Sequence, residues 1–426
     1  MKVCMIGAGY VGLSTATVLA ELGHDVTCVD TDTEKVAQLE RGRLPFYEPG
    51  LDELVARARE QGRLAFTADL RGGLDDASVV MLTVGTPALP DGRCDLSSVW
   101  QAVDTLAHTL SHPATVIIKS TVPPGTADRI RRYLAEAGHD ENAVHVVANP
   151  EFLREGSAVT DTRHPDRIVV GVTSREALAH VRALYRGIEA PYVVTSPTGA
   201  EMIKYAANAF LATKISFINE MARICDAYGV AIDDVAEGIG LDSRIGRAFL
   251  RAGLGYGGSC LPKDVAALIH AARDKGVEPL LLPAVQQVNV TQPDVYADKL
   301  RDALGGLAGK HVAIWGIAFK PDTNDVRASQ ALALIDRLLA AGCTVRAYDP
   351  LARCTRQDVA WAADPYQAAG NADALVVATE WEIFRHADWG RVKAVMRGNV
   401  VVDGRNCLTP ESLQSHGLRY VGVGRP

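Results

Sequence analysis

From the N-terminus to about residue 196, short apolar runs alternate with amphipathic stretches. Val3–Ile6, Val26–Asp30, Val79–Val84, Val116–Lys119, Val144–Ala148 and Arg167–Val172 are rich in β-branched residues and almost continuously apolar, as strands buried on both faces are. Between them, Val11–Leu22 and Leu51–Gln61 space their apolar residues as helices do. This rhythm predicts an α/β domain over residues 1–196, a doubly wound parallel sheet of Rossmann type. After Pro197 the period changes. Thr198 to about Tyr228 holds helical spacing without a proline, which predicts a helix roughly 45 Å long at 1.5 Å per residue. Helical patterns continue to about residue 300, so 197–300 reads as a helical central domain whose long helix offers a dimer surface. Strand patterns resume at His311–Trp315, Thr344–Tyr348, Ala374–Ala378 and Asn399–Asp403. They predict a second, smaller Rossmann-like domain over 301–426. Its first turn, Gly316 to Pro321, lacks a GxGxxG and serves some other ligand contact or none.

Composition narrows the class. At 426 residues the chain exceeds one core, and 48% hydrophobic with 22% charged residues is ordinary for a globular protein. A net charge of −7 argues against a nucleic-acid partner. No apolar run reaches the roughly 18 residues that span a bilayer, and Met1–Ile6 runs straight into a glycine motif without a signal-like segment. A cytoplasmic protein is expected, with no membrane partner. Eight cysteines, at 4, 28, 94, 225, 260, 343, 354 and 407, form no CxxC pair and no zinc-ligand cluster, so no metal is expected.

Gly7-Ala8-Gly9-Tyr10-Val11-Gly12 follows a predicted strand and opens a predicted helix. Gly7 allows the tight turn, Gly9 lets the backbone approach a pyrophosphate, and Gly12 lets the helix pack on the strand. Asp30, at the end of the second strand, suits the adenosine ribose hydroxyls and repels a 2′-phosphate. No arginine stands at 31–34, and Lys35 adds a possible contact, so NAD is expected before NADP. FAD, or a glycine turn without a ligand, are the competing readings of this motif.

Gly255-Tyr256-Gly257-Gly258-Ser259-Cys260-Leu261-Pro262-Lys263-Asp264 separates Cys260 from the other cysteines. The glycines permit close approach to a ligand. Pro262 suits a first helical turn with Val265–Lys275 continuing the helix. A cysteine at a helix start beside Lys263 is placed to act as a thiolate. Asp264 in that first turn would also be explained by the helix dipole alone. If Asn149-Pro150-Glu151-Phe152-Leu153-Arg154-Glu155-Gly156 turns helical, Glu151 and Glu155 share one face. Lys204 and Asn208 are likewise four apart in the long helix and could stabilise an oxyanion.

Taken in order, GAGYVG, TVGTP (Thr83–Pro87), KSTVPPGT (Lys119–Thr126), NPEFLREG, EMIKYAANAF (Glu201–Phe210), GYGGSCLPKD and FKPDTNDVRAS (Phe319–Ser329) resemble the UDP-glucose/GDP-mannose dehydrogenase family over nearly the whole chain. The resemblance implies oxidation of a nucleotide sugar's primary alcohol to a carboxylate with two NAD. Cys260 would form a thiohemiacetal and then a thioester. Thr121, Lys204 and Asp264 would serve the first oxidation, Lys204 and Asn208 would stabilise oxyanions, and Glu151 would activate water. Gly7, Gly9, Tyr10, Val11, Gly12, Asp30, Lys35, Thr86, Thr121, Glu155, Lys263 and Arg327 would meet the cofactor. Glu151, Phe152, Leu153, Arg154, Glu155, Lys204, Asn208, Phe249, Leu250, Tyr256, Gly257, Lys320 and Arg405 would line the substrate. Arg244 would reach it from a partner subunit, which implies a homodimer. Arg244-Ile245-Gly246 with Phe249-Leu250, and Ser259 before the cysteine, favour UDP-glucose; GDP-mannose and UDP-N-acetylhexosamines are the alternatives. A two-electron β-hydroxyacid dehydrogenase and a non-catalytic nucleotide-sugar sensor are the competing functions.

Overall fold

Alternation along the first strand already sets two cores. Val3 and Met5 enter one buried cluster, and Cys4 and Ile6 enter another on the opposite face of the same sheet. The computed structural model describes residues 1–426 except Cys354, and the chain divides into two units, Met1–Ala207 and Asn208–Pro426.

The first unit carries eight strands: Lys2–Ile6 (β1), Asp25–Val29 (β2), Leu64–Thr67 (β3), Val79–Leu82 (β4), Ala114–Ile118 (β5), Val144–Ala148 (β6), Ile168–Gly171 (β7) and Tyr192–Thr195 (β8). Their order is β3-β2-β1-β4-β5-β6-β7-β8. Successive strands leave β1 in opposite directions, so a crevice opens at the carboxyl ends of β1 and β4, where doubly wound sheets bind ligands. The sheet is parallel except between β6 and β7, which pair antiparallel through Ala148 and Gly171. That pair departs from the all-parallel expectation. β3 and β8, which the apolar runs did not announce, are the two edges. Each is four residues long, and β8 leaves Val193 and Val194 exposed.

In the second unit the helix Pro197–Tyr228 continues past Asn208, followed by Ile232–Gly240, Leu261–Arg273, Leu281–Val290 and Gln292–Leu304. The sheet follows: His311–Trp315 (β9), Thr344–Tyr348 (β10), Ala360–Trp361 (β11), Ala374–Val377 (β12), Val400–Asp403 (β13) and Arg419–Val421 (β14). The order β11-β10-β9-β12-β13-β14 repeats the winding of the first sheet, here with every pair parallel. Trp315 anchors its core, stacked on Phe384 at 5.2 Å and Trp389 at 5.9 Å, with Nε1 donating to Pro365 O.

The two lobes part company at one carboxylate. Asp349 follows β10 as Asp30 follows β2. Asp349 accepts four backbone N–H bonds, from Ile317, Ala318, Leu351 and Ala352, and is fully buried. The turn after β9 is thereby closed on itself. Gly316 holds φ +90°, and a Cβ there would sit 2.4 Å from Thr379 Cβ.

Candidate active site

In the first unit the glycine turn is built around one open position. A Cβ on Gly12 would lie 2.0 Å from Gly7 O, and one on Gly7 would lie 2.8 Å from Thr83 O. Gly9 has no atom within 4 Å of its missing Cβ, so the helix Tyr10–Glu21 begins beside free space. A pyrophosphate fits there, against the positive end of a helix dipole. Asp30 Oδ2 accepts from Ala8 N at 2.9 Å and from Lys35 Nζ at 2.8 Å, and Oδ1 accepts from Asp32 N. Burial pushes its carboxyl up, but the bonds from Lys35, Asp32 and Ala8 outweigh burial and hold it below the ordinary carboxylate value. The dinucleotide-site residues thus fit an NAD.

Tyr10 is committed elsewhere. Its hydroxyl donates to Arg154 O at 2.5 Å, and its ring lies on Phe46. Burial, and then the carboxylate of Glu48, pushes its phenol well up, so it stays protonated. Thr86 Oγ1 donates to Thr121 O at 2.8 Å, tying together the two threonines expected on the cofactor side.

The segment after β6 is a loop, not a helix, up to Ala158. The expected shared helical face of Glu151 and Glu155 is therefore corrected. Carboxylates take the N–H groups that a helix would use. Glu48 accepts from Gly156 N and Ala158 N at 2.7 Å each, Asp161 accepts from Arg154 N, and Glu151 accepts from Leu153 N. The loop holds Glu151 against Lys204, Oε1 to Nζ 3.0 Å, with both side chains almost fully buried. Phe152 lies 5.2 Å from Lys204 Nζ, and Arg154 pairs with Asp161.

In the second unit the glycine loop is shaped by its own neighbours. A Cβ on Gly255 would meet Asn289, one on Gly257 would lie 2.4 Å from Ala328 O, and one on Gly258 would strike the Phe319 ring. These glycines admit the chain's own atoms. Asn289 bonds both the N–H and the carbonyl of Tyr256, Gln330 reaches the same carbonyl, and Gly258 N donates to Arg327 O. The held loop delivers Cys260 as the N-cap of Leu261–Arg273, with Pro262 in the first turn. Cys260 is exposed, with Sγ 3.5 Å from Ser259 Oγ. Cys4 differs: burial pushes its thiol up to about 12. Asp264 is 1% exposed and bonds Lys263 Nζ at 2.5 Å and Asn208 Nδ2 at 2.6 Å.

Several expected substrate residues turn inward. Leu250 and Tyr256 are buried in the unit's apolar clusters, so only their backbones are left for a ligand. Arg405 donates to three carbonyls, Ala378, Gly255 and Phe319, which makes it a clip for the glycine loop. Arg327 pairs with Asp325, and Lys320 Nζ stands 6.0 Å from the Phe319 ring. Arg244 is 86% exposed in its side chain and forks onto Asp242, while Phe249 sits at φ +64°, part-exposed. Glu48, Asn289 and Gln330 had no signal in the sequence, because each acts on a segment distant along the chain.

Models of the UDP-glucose/GDP-mannose dehydrogenase family match in three stretches: the NAD binding domain over residues 1–189, the central domain over 198–291 and the UDP binding domain over 313–410. The chain is 46% identical to a UDP-glucose 6-dehydrogenase of Rhizobium meliloti, with both chains covered completely. It is 45% identical to one of Pseudomonas aeruginosa, covering all of this chain and 98% of that one. Among solved structures it is similar to a UDP-glucose dehydrogenase of the hyperthermophilic archaeon Pyrobaculum islandicum, with a TM-score of 0.92, 38% identity, and 100% and 98% of the two chains covered.

Proposed function

Since the chain belongs to the UDP-glucose/GDP-mannose dehydrogenase family and is an NAD-dependent dehydrogenase, we propose that it oxidises C6 of UDP-glucose twice, to UDP-glucuronate. The observation that carries the reading is Cys260, an exposed thiol capping a helix on a loop held by Asn289, Gln330 and Arg405. NAD, held by the turn Gly7–Gly12 and by Asp30, would supply the hydride acceptor for each oxidation. In the first, Asp264 and Lys204, with bound water, take the hydroxyl proton as C6 loses hydride. The thiol of Cys260 then adds to the aldehyde, forming a C–S bond and a thiohemiacetal. Loss of its hydride and its hydroxyl proton leaves a thioester. Water activated by Glu151 adds to that carbonyl, and the C–S bond breaks to give the acid and the free thiol. Lys204 and Asn208, one turn apart on a single helix, stabilise the oxyanions formed on the way.

UDP-glucose as the sugar is supported by the names of the relatives at 45–46% identity and by the UDP binding domain match. Assay against UDP-glucose, GDP-mannose and UDP-N-acetylmannosamine should give turnover with the first, and two NADH for each acid formed. One NADH with an aldehyde or ketone product would sink the proposal in favour of a two-electron dehydrogenase.

We also propose the three-part layout of 1–196, 197–300 and 301–426, and a homodimer. Phe210, Phe217 and Ile224 recur every seven residues on Pro197–Tyr228 and are 64%, 44% and 45% exposed. A seven-residue apolar repeat is the seam of paired helices. A partner there accounts for these exposed apolar side chains, and Arg244 is the residue offered to its site. Sedimentation should find a dimer, and Phe210→Glu with Phe217→Glu a monomer; a monomeric parent protein would end the idea. Among the described residues no helix is long and apolar enough to cross a membrane.

A further inference from the structure

A cavity of about 100 Å³ lies in the first unit, behind the loop that carries Glu151. Three cations line it, Lys119, Arg167 and Arg154, the last paired with Asp161, together with Asn149, Phe152, His164 and Tyr185. Lys119 follows β5 and is 7% exposed. Its ammonium donates to Tyr185 Oη at 3.2 Å and to Asn149 Oδ1 at 3.4 Å, both neutral groups. No carboxylate among the described residues comes within ion-pairing distance of it, 4.0 Å. Arg167 lies over the Phe152 ring, its Cζ 3.7 Å from the centroid. The nearest acid is Asp166 at 3.9 Å, whose side chain is 93% exposed. The other acids lining the cavity are in use, Glu151 by Lys204 and Leu153 N, and Asp161 by Arg154.

Burying an ammonium away from water costs several kcal/mol unless a negative charge accompanies it. Lysine is almost never buried unpaired. A guanidinium offers a planar fork of five N–H donors shaped for a carboxylate or phosphate edge. Two such cations facing one small polar cavity lack a shared counter-charge, and the volume admits a small oxyanion with water but no nucleotide.

We propose that this cavity is a binding site for a small oxyanion of the phosphate or carboxylate class, held between Lys119 and Arg167. The anion supplies the charge that Lys119 lacks. It also fixes Arg167 on Phe152, the residue next to Glu151, so occupancy stiffens the loop from behind. The site does not depend on which sugar the enzyme oxidises.

Crystals of the intact protein soaked in selenate should show an anomalous peak between Lys119 Nζ and the Arg167 guanidinium. In solution, with NAD saturating so that the dinucleotide turn is taken, inorganic phosphate and acetate are titrated separately at constant ionic strength while Tm is followed. At least one should raise Tm to a plateau, and the comparison separates a phosphate from a carboxylate site. Arg167→Gln, on a part-exposed side chain, should weaken the midpoint about tenfold, the worth of one charge-assisted hydrogen bond. Lys119→Met should do the same if it folds. A cavity without selenate density, or a Tm response unchanged in Arg167→Gln, would overturn the proposal.

Discussion

Cys260→Ser abolishes acid formation while the protein still folds and binds its nucleotide sugar. Serine keeps the size and shape of the N-cap but exchanges an acidic, polarisable thiol for a hydroxyl that is almost never ionised near neutral pH. The aldehyde then gains no adduct from which a second hydride can leave. Acid production should fall by about 10³-fold or more. Glycines 255, 257 and 258 make room for atoms of this chain and Cys260 itself is exposed, so the substitution removes no core contact. The stability change should stay within about 0.5 kcal/mol, as at other surface positions. Calorimetric titration should return an unchanged affinity for UDP-glucose, and hydroxylamine should trap any aldehyde that forms. Undiminished NADH and glucuronate production would remove the covalent step from the mechanism.

Lys204→Ala should be the most damaging change on the first unit, for two separable reasons. The ammonium stabilises developing oxyanions, and losing such a donor costs about 10²–10³ in kcat. It is also the buried partner of Glu151 at 3.0 Å, with side-chain exposures of 4% and 6%. Removing one member of a buried pair leaves the other charge uncompensated, at a cost of about 3–5 kcal/mol. The two losses come apart in the double variant Lys204→Met with Glu151→Gln. Urea unfolding should show most of the stability returning, while steady-state assay shows no return of activity. Recovery of both together would mean that neither Lys204 nor Glu151 takes part in the chemistry.

The parallel-sheet architecture was readable because each inner strand is a run of β-branched residues covered on both faces. Val79–Leu82 and Val144–Ala148, for example, are buried at every position. The edge elements β3, β8, β11 and β14 were not, since two to four half-exposed residues leave no period to detect. The glycine turn and the long helix could be read because their signals are local. The loop after β6 could not, because Glu48 and Asp161 decide its backbone from other parts of the chain. The cations followed the same division. Lys204 and Lys263 meet carboxylates, but sequence spacing gave no reason to send Arg405 onto three carbonyls or to leave Lys119 beside a cavity.

Asp30 and Asp349 carry a lesson for transplanting cofactor sites between similar sheets. Both end the strand beside the central one, and a motif search would score them alike. Asp30 takes two backbone N–H bonds where Asp349 takes four, keeps some solvent contact and has a movable lysine as its third partner, so a ribose can compete for its oxygens. Asp349 has every oxygen occupied by rigid main chain that no ligand can displace without opening the turn. Whether an acid at that position is a receptor or a rivet depends on how many donors the surrounding backbone has already given it.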